Sequence, residues 1–551
     1  MKKRTWAILV LAAFFLIPAV VPAAGEGEFK PLATGGFGDS ANSYSWGLTE
    51  FKGDVYVSTG RHHFWSMMMA MEALLGQDIP YETLIDGPPG FWGDSDWADA
   101  HRAEIWRLRT GAWERVFQSG TYFIPEENAI VSPLLPFPLW GNFPNAYSYR
   151  TLGTFGDHIY ALGVGTWMPP IANSTVLRSA DGDTWEDVTG NLANTTNIRG
   201  FAPWRDHVYV AASVRGGGVS GAGGCLVFRN NNATNGDPWE QISEIGFGDE
   251  LNEEIYYVAV FNDCLYASTV NYVNGFEVWK ADGVTAPDGK LVWQQVLKEG
   301  FGDTWNQYGM TLQAFGDHLY VGSAVGAGMV MKEGQPAGIR AIDIIRLDKN
   351  DKAELVVGAY VPSDPPPGWP TARVPLSLLP AGFGNPLNVY TWHMGVYKDT
   401  LFAGTLDLTG IALFSIKEFI LSDPAAAMEA LQNLLASSPS VPVEQLEKLK
   451  SFDLLDSEQA AAASALIDYL IENFGGADLW QTKDGIHWEP VTLSGFGNWH
   501  NYGFRRTVPV KIDGKESLFI GTSNPFTGVP GGGCEVWATQ GKLKPQKDKK
   551  D

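Results

Sequence analysis

Gly300-Phe301-Gly302-Asp303-Thr304-Trp305-Asn306 leads through a short apolar run to Leu319-Tyr320-Val321-Gly322-Ser323. Near the start of the chain the same phrase reads Gly36-Phe37-Gly38-Asp39-Ser40-Ala41-Asn42, leading to Val55-Tyr56-Val57-Ser58-Thr59. Its signature is Asp or Asn, two residues, then Asn, ahead of an apolar strand. It occurs seven times: Asp39/Asn42, Asn142/Asn145, Asn191/Asn194, Asp249/Asn252, Asp303/Asn306, Asn385/Asn388 and Asn498/Asn501. A phrase that recurs at a regular interval marks a repeat architecture, in which each copy is one supersecondary unit burying its apolar face against the next.

Each copy reads as four short strands. In six copies the first strand ends in an aromatic residue: Phe51, Phe155, Trp204, Phe261, Phe315 and Tyr397. The seventh, running through Phe504 to Val510, lacks that ending. A tight turn then leads to a second strand around Tyr56, Tyr160, Tyr209, Tyr266, Tyr320, Phe402 and Phe519. A third strand carries Trp106, Trp279, Trp480 or Trp537, and a fourth often reads Trp-x-x-Val, as in Trp113 to Val116 and Trp488 to Val491. Four strands in about 50 residues is the cadence of a β-propeller blade. The expected fold is therefore all-β, a seven-bladed β-propeller over residues 29–540. The last copy stops after its third strand at Val536-Trp537, while Phe29-Lys30-Pro31-Leu32 is an orphan fourth strand. The N-terminal strand is expected to close the ring, leaving no open sheet edge.

Ser179-Ala180-Asp181-Gly182-Asp183-Thr184-Trp185 and Thr482-Lys483-Asp484-Gly485-Ile486-His487-Trp488 carry a further pattern. Both resemble the Asp-box turn of the sialidase-type BNR repeat propellers, one residue shorter than the family's usual spacing. The resemblance covers the whole repeat region as architecture, and its specific motif covers these two turns. It implies a propeller in which the box is a folding element away from the active site, and it implies fold far more than function.

The amino terminus places Lys2, Lys3 and Arg4 before an apolar run from Trp6 to Val21, followed by Ala23-Ala24-Gly25. That order reads as a secretory signal peptide over residues 1–24, so the mature protein is expected to be secreted, periplasmic or otherwise extracytoplasmic. No later stretch is long and apolar enough to span a bilayer. The net charge of −23 disfavours a nucleic-acid partner, because binding a phosphate backbone needs a basic surface. Residues 541–551 read as a disordered charged tail. Three cysteines cannot build a disulfide framework, so Cys225 and Cys264 are expected either to pair or to stay as thiols.

The long insertions fall between second and third strands, or between a fourth strand and the next first strand. The largest are 60–102, 119–141, 362–382 and 406–476, the last expected to be mostly helical, with helix starts at Ser422-Asp423-Pro424 and at Ser457. In a propeller these two loop classes share one face, so the activity is expected on that insertion-bearing face. The segment Met67-Met68-Met69-Ala70-Met71 offers either an adaptable contact surface or packing against the helical cap.

Counting back from the closing aromatics puts Trp46, Arg150, Arg199, Tyr256, Met310 and Trp392 at one level, with His393 one step later and Arg505 near that level in the seventh copy. Arginine's planar fork suits carboxylates. Three arginines on separate repeats resemble the carboxylate-binding set of sialidases, but no Arg-Ile-Pro, Tyr/Glu nucleophile pair or acid Asp accompanies them. His393 with Tyr256 or Tyr257 and an arginine could instead remove a proton from a uronate. The Asp/Asn-x-x-Asn phrases read as turn caps rather than cation sites. Asp94, Asp96, Asp99 and His101 form either a solvated acidic loop or a metal cluster. No cofactor or resident metal is expected. The leading expectation is a monomeric exported propeller binding a glycan or an extracellular protein, with Trp46, Arg150, Arg199, Tyr256, Trp392, His393 and Arg505 as ligand-binding candidates. A glycoside hydrolase or polysaccharide lyase, and an envelope scaffold docked through its helical insertion, are the other readings.

Overall fold

The computed structural model describes residues 28–63, 94–129, 140–164, 174–214, 224–231, 238–326, 330–332, 335–338, 340–358, 373–422, 457–512 and 514–539. The leader, the tail, the Met-rich segment and the centre of the 406–476 insertion lie outside the described residues.

The chain is mostly β-sheet. First strands run Asn42–Phe51, Ser148–Phe155, Thr195–Trp204, Glu254–Phe261, Tyr308–Phe315, Asn388–Tyr397 and Gly503–Ile512. Six of them stop at the aromatic residue that the repeat pattern marks. Each pairs antiparallel with the next strand across a two-residue turn, as where Phe51 pairs with Asp54 and Phe261 with Cys264. In the turns Lys52-Gly53 and Asn262-Asp263 all four residues have positive φ, a geometry whose twist matches that of the flanking strands. Third and fourth strands follow outward, for example Val278–Ala281 and Gln294–Leu297. The four-stranded groups meet edgewise through single-residue bridges: Gly60 with Ser148, Val270 with Tyr308, Ala324 with Tyr390, Leu406 with Gly503, and Tyr44 with Ser523. The N-terminal strand Phe29–Ala33 pairs antiparallel with the last strand, Val536–Thr539.

Between neighbouring groups the sheets bury their facing side chains. One such layer holds Tyr160, Leu162 and Val176 against Ile198, Val208 and Val210. Alternation along the strands supplies these faces, and their burial is the main favourable term for the fold.

The Gly-Phe-Gly phrase has a definite job. In five copies the Asn side chain donates to the carbonyl of the glycine six residues earlier, from Asn42 to Gly36, Asn252 to Gly246, Asn306 to Gly300, Asn388 to Gly382 and Asn501 to Gly495, at 3.0–3.1 Å. The same nitrogen also donates to a carboxylate at the head of the third strand: Glu104, Glu277, Asp343, Asp478 or Glu535. The intervening Phe sits at positive φ, 57–62°, a conformation costly for a bulky side chain. Stacking on a third-strand tryptophan offsets that cost, as in Phe383 on Trp480 and Phe496 on Trp537 at 4.5 and 4.7 Å. These phrases are turn caps. The copies at Asn142/Asn145 and Asn191/Asn194 lack the Gly-Phe-Gly loop and are held differently; Asn191 exchanges hydrogen bonds with the backbone of Trp239.

In the two Asp-box-like turns one carboxylate oxygen gathers the local donors. Asp181 Oδ1 accepts from the backbone of Asp183 and Thr184, and Asp484 Oδ1 from Ile486 and His487.

Helices Thr409–Ser422 and Ser457–Phe474 pack together through Leu413, Ile467 and Ile471. Of the expected helix start at Ser422-Asp423-Pro424, Ser422 is the last described residue of the helix Thr409–Ser422, and Asp423 and Pro424 lie outside the described residues. Asp407 accepts from the backbone and hydroxyl of Thr409, so the helix begins earlier, directly off the strand Thr400–Asp407. Among the described residues no helix is long and apolar enough to cross a membrane. Cys225 and Cys264 are both free. Cys225 sits where a third strand begins, opposite the end of its second strand, whereas Cys264 sits at the short-turn end of the neighbouring second strand, so they face opposite ends of the sheets. Asp94, Asp96 and Asp99 belong to a short helical turn, Ser95–Ala100, and His101 Nδ1 contacts the carbonyl of Trp97 at 2.8 Å. No metal-ligating cluster occurs among the described residues.

Candidate functional site

Every first strand carries a β-bulge near its middle. Register shifts fall between Ser45 and Gly47, Tyr149 and Thr151, Arg199 and Phe201, Ile255 and Tyr257, Gly309 and Thr311, Thr391 and His393, and Phe504 and Arg506. The unpaired residues are thus Trp46, Arg150, Gly200, Tyr256, Met310, Trp392 and Arg505. Six of these are the residues that share one level in the sequence, Gly200 replacing Arg199 in the third group. A bulge leaves one residue out of the ladder and re-aims its side chain. The level seen in the sequence is therefore a set of bulges, one on each first strand.

The bulges separate two zones. On the insertion side the strands converge on a buried aromatic collar of Tyr44, Trp46, Tyr147, Tyr308, Trp392 and Tyr502. The Tyr44 and Tyr502 hydroxyls hydrogen-bond directly, those of Tyr272 and Tyr308 lie 2.6 Å apart, and the Tyr44 and Trp392 rings meet edge-on at 5.8 Å. On the short-turn side lies a cavity of about 260 Å³, lined by Arg150, Arg199, Tyr256, Tyr257, His393, Arg505 and Arg506 with Thr151, Gln313, Val396 and Pro509 among others. It requires a close approach of inner strands, since a Cβ on Gly395 would fall 2.0 Å from the carbonyl oxygen of Thr507. The sequence placed activity on the insertion-bearing face. This cavity lies on the opposite side of the bulges, where half-exposed Gln313 and Val396 and exposed Pro509 line it, while the collar packs the insertion side.

Four arginines line the cavity and no carboxylate does. Arg506 is structural: it donates to the carbonyls of Trp46 and Arg150, two bulge residues on other groups. Arg150 donates to Asn197 Oδ1 at 2.7 Å and to the Tyr147 hydroxyl at 3.0 Å, and its guanidinium lies 4.7 Å from the Trp46 ring. Arg199 stacks 3.9 Å over Tyr256 and lies 3.5 Å from Glu254. Arg505 rests between Trp46 and Trp392, 5.9 and 5.5 Å from their rings. It has no hydrogen-bond or ion-pair partner among the described residues, and its Nε is buried without one. Burial, reinforced by Arg506 and Arg199, pushes the Arg505 guanidinium well below its ordinary range. Burial and then Arg199 lower Arg150 as well. Burial opposes the charge of Arg199 too, but Tyr256 and Glu254 outweigh it and hold that group up.

His393 lies 3.0 Å from the Tyr257 hydroxyl through Nε2, while its Nδ1 accepts from the backbone N–H of Thr507 at 3.3 Å. Burial, then Arg506 and Arg505, push its pKa well below the ordinary histidine range, so the ring is neutral at pH 7. With Nδ1 accepting, the proton sits on Nε2 and points at Tyr257. In this arrangement His393 is a donor that orients Tyr257 and not a free base. Of the two tyrosines considered with it, Tyr257 is the partner.

The structure thus brings Arg150, Arg199, Tyr256, His393 and Arg505 together on one cavity, and leaves Trp46 and Trp392 in the collar, against Arg505 but not among the lining residues. The sequence reading left Tyr256 and Tyr257 open as partners of His393 and omitted Arg506 and Asn197. The doublet Arg505-Arg506, unusual inside a buried strand, was a usable signal for the second arginine.

No protein-family model matches this chain, and no curated protein matches it significantly. Among solved structures it is similar to the GH74 xyloglucanase from Xanthomonas campestris, at 11% identity over 92% of this chain and 55% of that one, with a TM-score of 0.37. It is also similar to the endosialidase of phage phi92 (8% identity, 69% and 64% covered, TM-score 0.34) and to the GH32 β-fructofuranosidase of Bombyx mori (13%, 67% and 70%, 0.29).

Proposed function

We propose that the protein is an exported, monomeric seven-bladed β-propeller that binds a carboxylate-bearing extracellular glycan in its central cavity. In this reading residues 1–24 are removed on export, the ring spans 29–540 and is shut by the N-terminal strand, 406–476 is a helical insertion, and 541–551 is a charged tail. The observation that carries the reading is the cavity wall of four buried or half-buried arginines with no lining carboxylate. A buried charge without a partner is expensive and is retained where a ligand completes it. Arg150, Arg199 and Arg505 supply bidentate donors for the carboxylate. The mature chain titrated calorimetrically with neutral, sialylated and uronate glycans should bind the acidic ones. Equal binding of neutral glycans, or none of any kind, would sink the reading.

The hydrogen bond between His393 and Tyr257 supports a second reading, a carbohydrate-active enzyme that uses the Tyr257 hydroxyl beside an arginine-held carboxylate. Incubation with the same glycans, followed by mass spectrometry, should then release products that Tyr257→Phe abolishes. Intact glycans after prolonged incubation would remove this alternative.

A further inference from the structure

We infer that the cavity accepts a small group carrying two negative charges, which enters from the short-turn face and completes the hydrogen bonding of Arg505. This rests on the anion-binding reading and sharpens it in charge, size and route.

The charge count comes first. Four guanidiniums line the cavity, and the one carboxylate in ion-pair range of any of them among the described residues is Glu254, beside Arg199. Arg506 is spoken for by backbone carbonyls and Arg150 by neutral oxygens, which satisfy donors but leave the charges unbalanced. Arg505 lacks even that. Against four guanidiniums and one carboxylate, a single carboxylate leaves the larger excess of positive charge, whereas a dianion offers one anionic group to Arg505 and another to Arg150 and Arg199. In a confined site of low dielectric each such contact is worth more than in water.

Size and route follow from the walls. A cavity of about 260 Å³ holds one sugar-acid residue or a compact dicarboxylate, not a stretch of polymer. Among the described residues the collar packs the insertion side, its hydroxyls bonded to one another. Towards the short turns the lining passes through half-exposed Gln313 and Val396 to exposed Pro509. The mouth is on that side. Two sources share the required chemistry: a free sugar diacid, or the terminal residue of a glycan bearing both a carboxylate and a sulfate.

The full mature chain would be titrated by calorimetry with galactarate, with tartrate, with glucuronate and with an oligouronide sulfated on its terminal residue. The dianions should bind at least about tenfold more tightly than glucuronate, a difference of about 1.4 kcal/mol. Arg505→Gln should lose at least about tenfold in dianion affinity while the melting temperature of the free protein holds or rises. Gln313→Trp, at the mouth, should slow association at least about tenfold in stopped flow with the melting temperature unchanged. Tight binding of galactarate assigns a free acid, and tight binding of the sulfated oligouronide alone assigns a chain end. Equal affinity for glucuronate and the dianions, or an Arg505→Gln variant that binds as well as the native chain, would overturn the inference and leave a monoanionic glycan site standing. Unchanged association in Gln313→Trp would overturn the route. Silence towards every anion would overturn this inference and the anion-binding reading together.

Discussion

Two buried arginine sites in this molecule use the same side chain to opposite ends. In the fifth repeat Arg340 and Arg373 face Asp303 and Asp343: Arg340 reaches both carboxylates at 2.8 and 2.9 Å, and Arg373 reaches Asp343 at 2.6 Å. Asn306 adds a hydrogen bond to Asp343, so the charges are matched and the polar atoms largely engaged. At the centre Arg150, Arg199, Arg505 and Arg506 face one another and a single nearby glutamate. The first arrangement locks the Gly-Phe-Gly loop to the third strand. The second, apart from structural Arg506, leaves its cations without matching carboxylates, and the proposed binding site rests on that imbalance rather than on burial or residue type.

Breaking the matched site should have the largest effect. Asp343→Ala leaves two buried guanidiniums sharing Asp303 and removes one acceptor of Asn306, and should cost about 3–5 kcal/mol in urea unfolding. Relieving the unmatched site should act with the opposite sign. Arg505→Met fills the same space between Trp46 and Trp392 without a charge, and should raise the stability of the ligand-free protein by about 1–3 kcal/mol. A destabilised Arg505→Met protein would mean that the fold needs the cation.

A third site sharpens the contrast from the acidic side. Asp407 and Asp478 are buried together in the sixth repeat with no cation in reach among the described residues. Burial and then Asp478 push Asp407 well above the ordinary carboxyl range, while burial lifts Asp478 to about 7. These groups hold protons in the folded state that the unfolded chain has released. Their contribution is complete below the unfolded carboxyl pKa near 4 and is lost as pH rises through the folded values, by up to about 1.4 kcal/mol per pH unit for each proton. Asp407→Asn should therefore match the native protein at pH 4 and exceed it progressively towards pH 8 in thermal melts. At the other extreme Lys352, largely exposed and paired with Glu354 at 2.9 Å, should leave the melting temperature unchanged when replaced by Ala.

Much of the architecture was legible because it rests on local chemistry. Closing aromatics, two-residue turns and third-strand tryptophans each have a fixed offset, so the strands fall where the pattern puts them. The Asn caps were readable as caps, but their carboxylate partners at Glu104, Glu277 and Glu535 were overlooked. Each stands two residues before a tryptophan, which donates to it at 2.8–2.9 Å. The site was half legible. Alignment found the level of Trp46, Arg150 and Arg505, yet periodicity alone cannot reveal a bulge, because an extra unpaired residue appears only when the register with the partner strand is known. The same gap hid which side of the level is open, since the collar forms from residues far apart in sequence. Arg505 and Arg506 illustrate the limit. They are adjacent and chemically identical, and the bulge between Phe504 and Arg506 turns one towards Trp392 and the other onto the carbonyls of Trp46 and Arg150.

The pairing of Phe29 with Thr539 and of Pro31 with Trp537 has a mechanical meaning. The two strands run antiparallel, and the chain enters the first and leaves the second at the same end of the ladder. Tension applied between the two termini would therefore open the hydrogen bonds one after another, like a zip, instead of shearing them all at once. Under load this ladder should peel at low force, ahead of the sheets between which it lies.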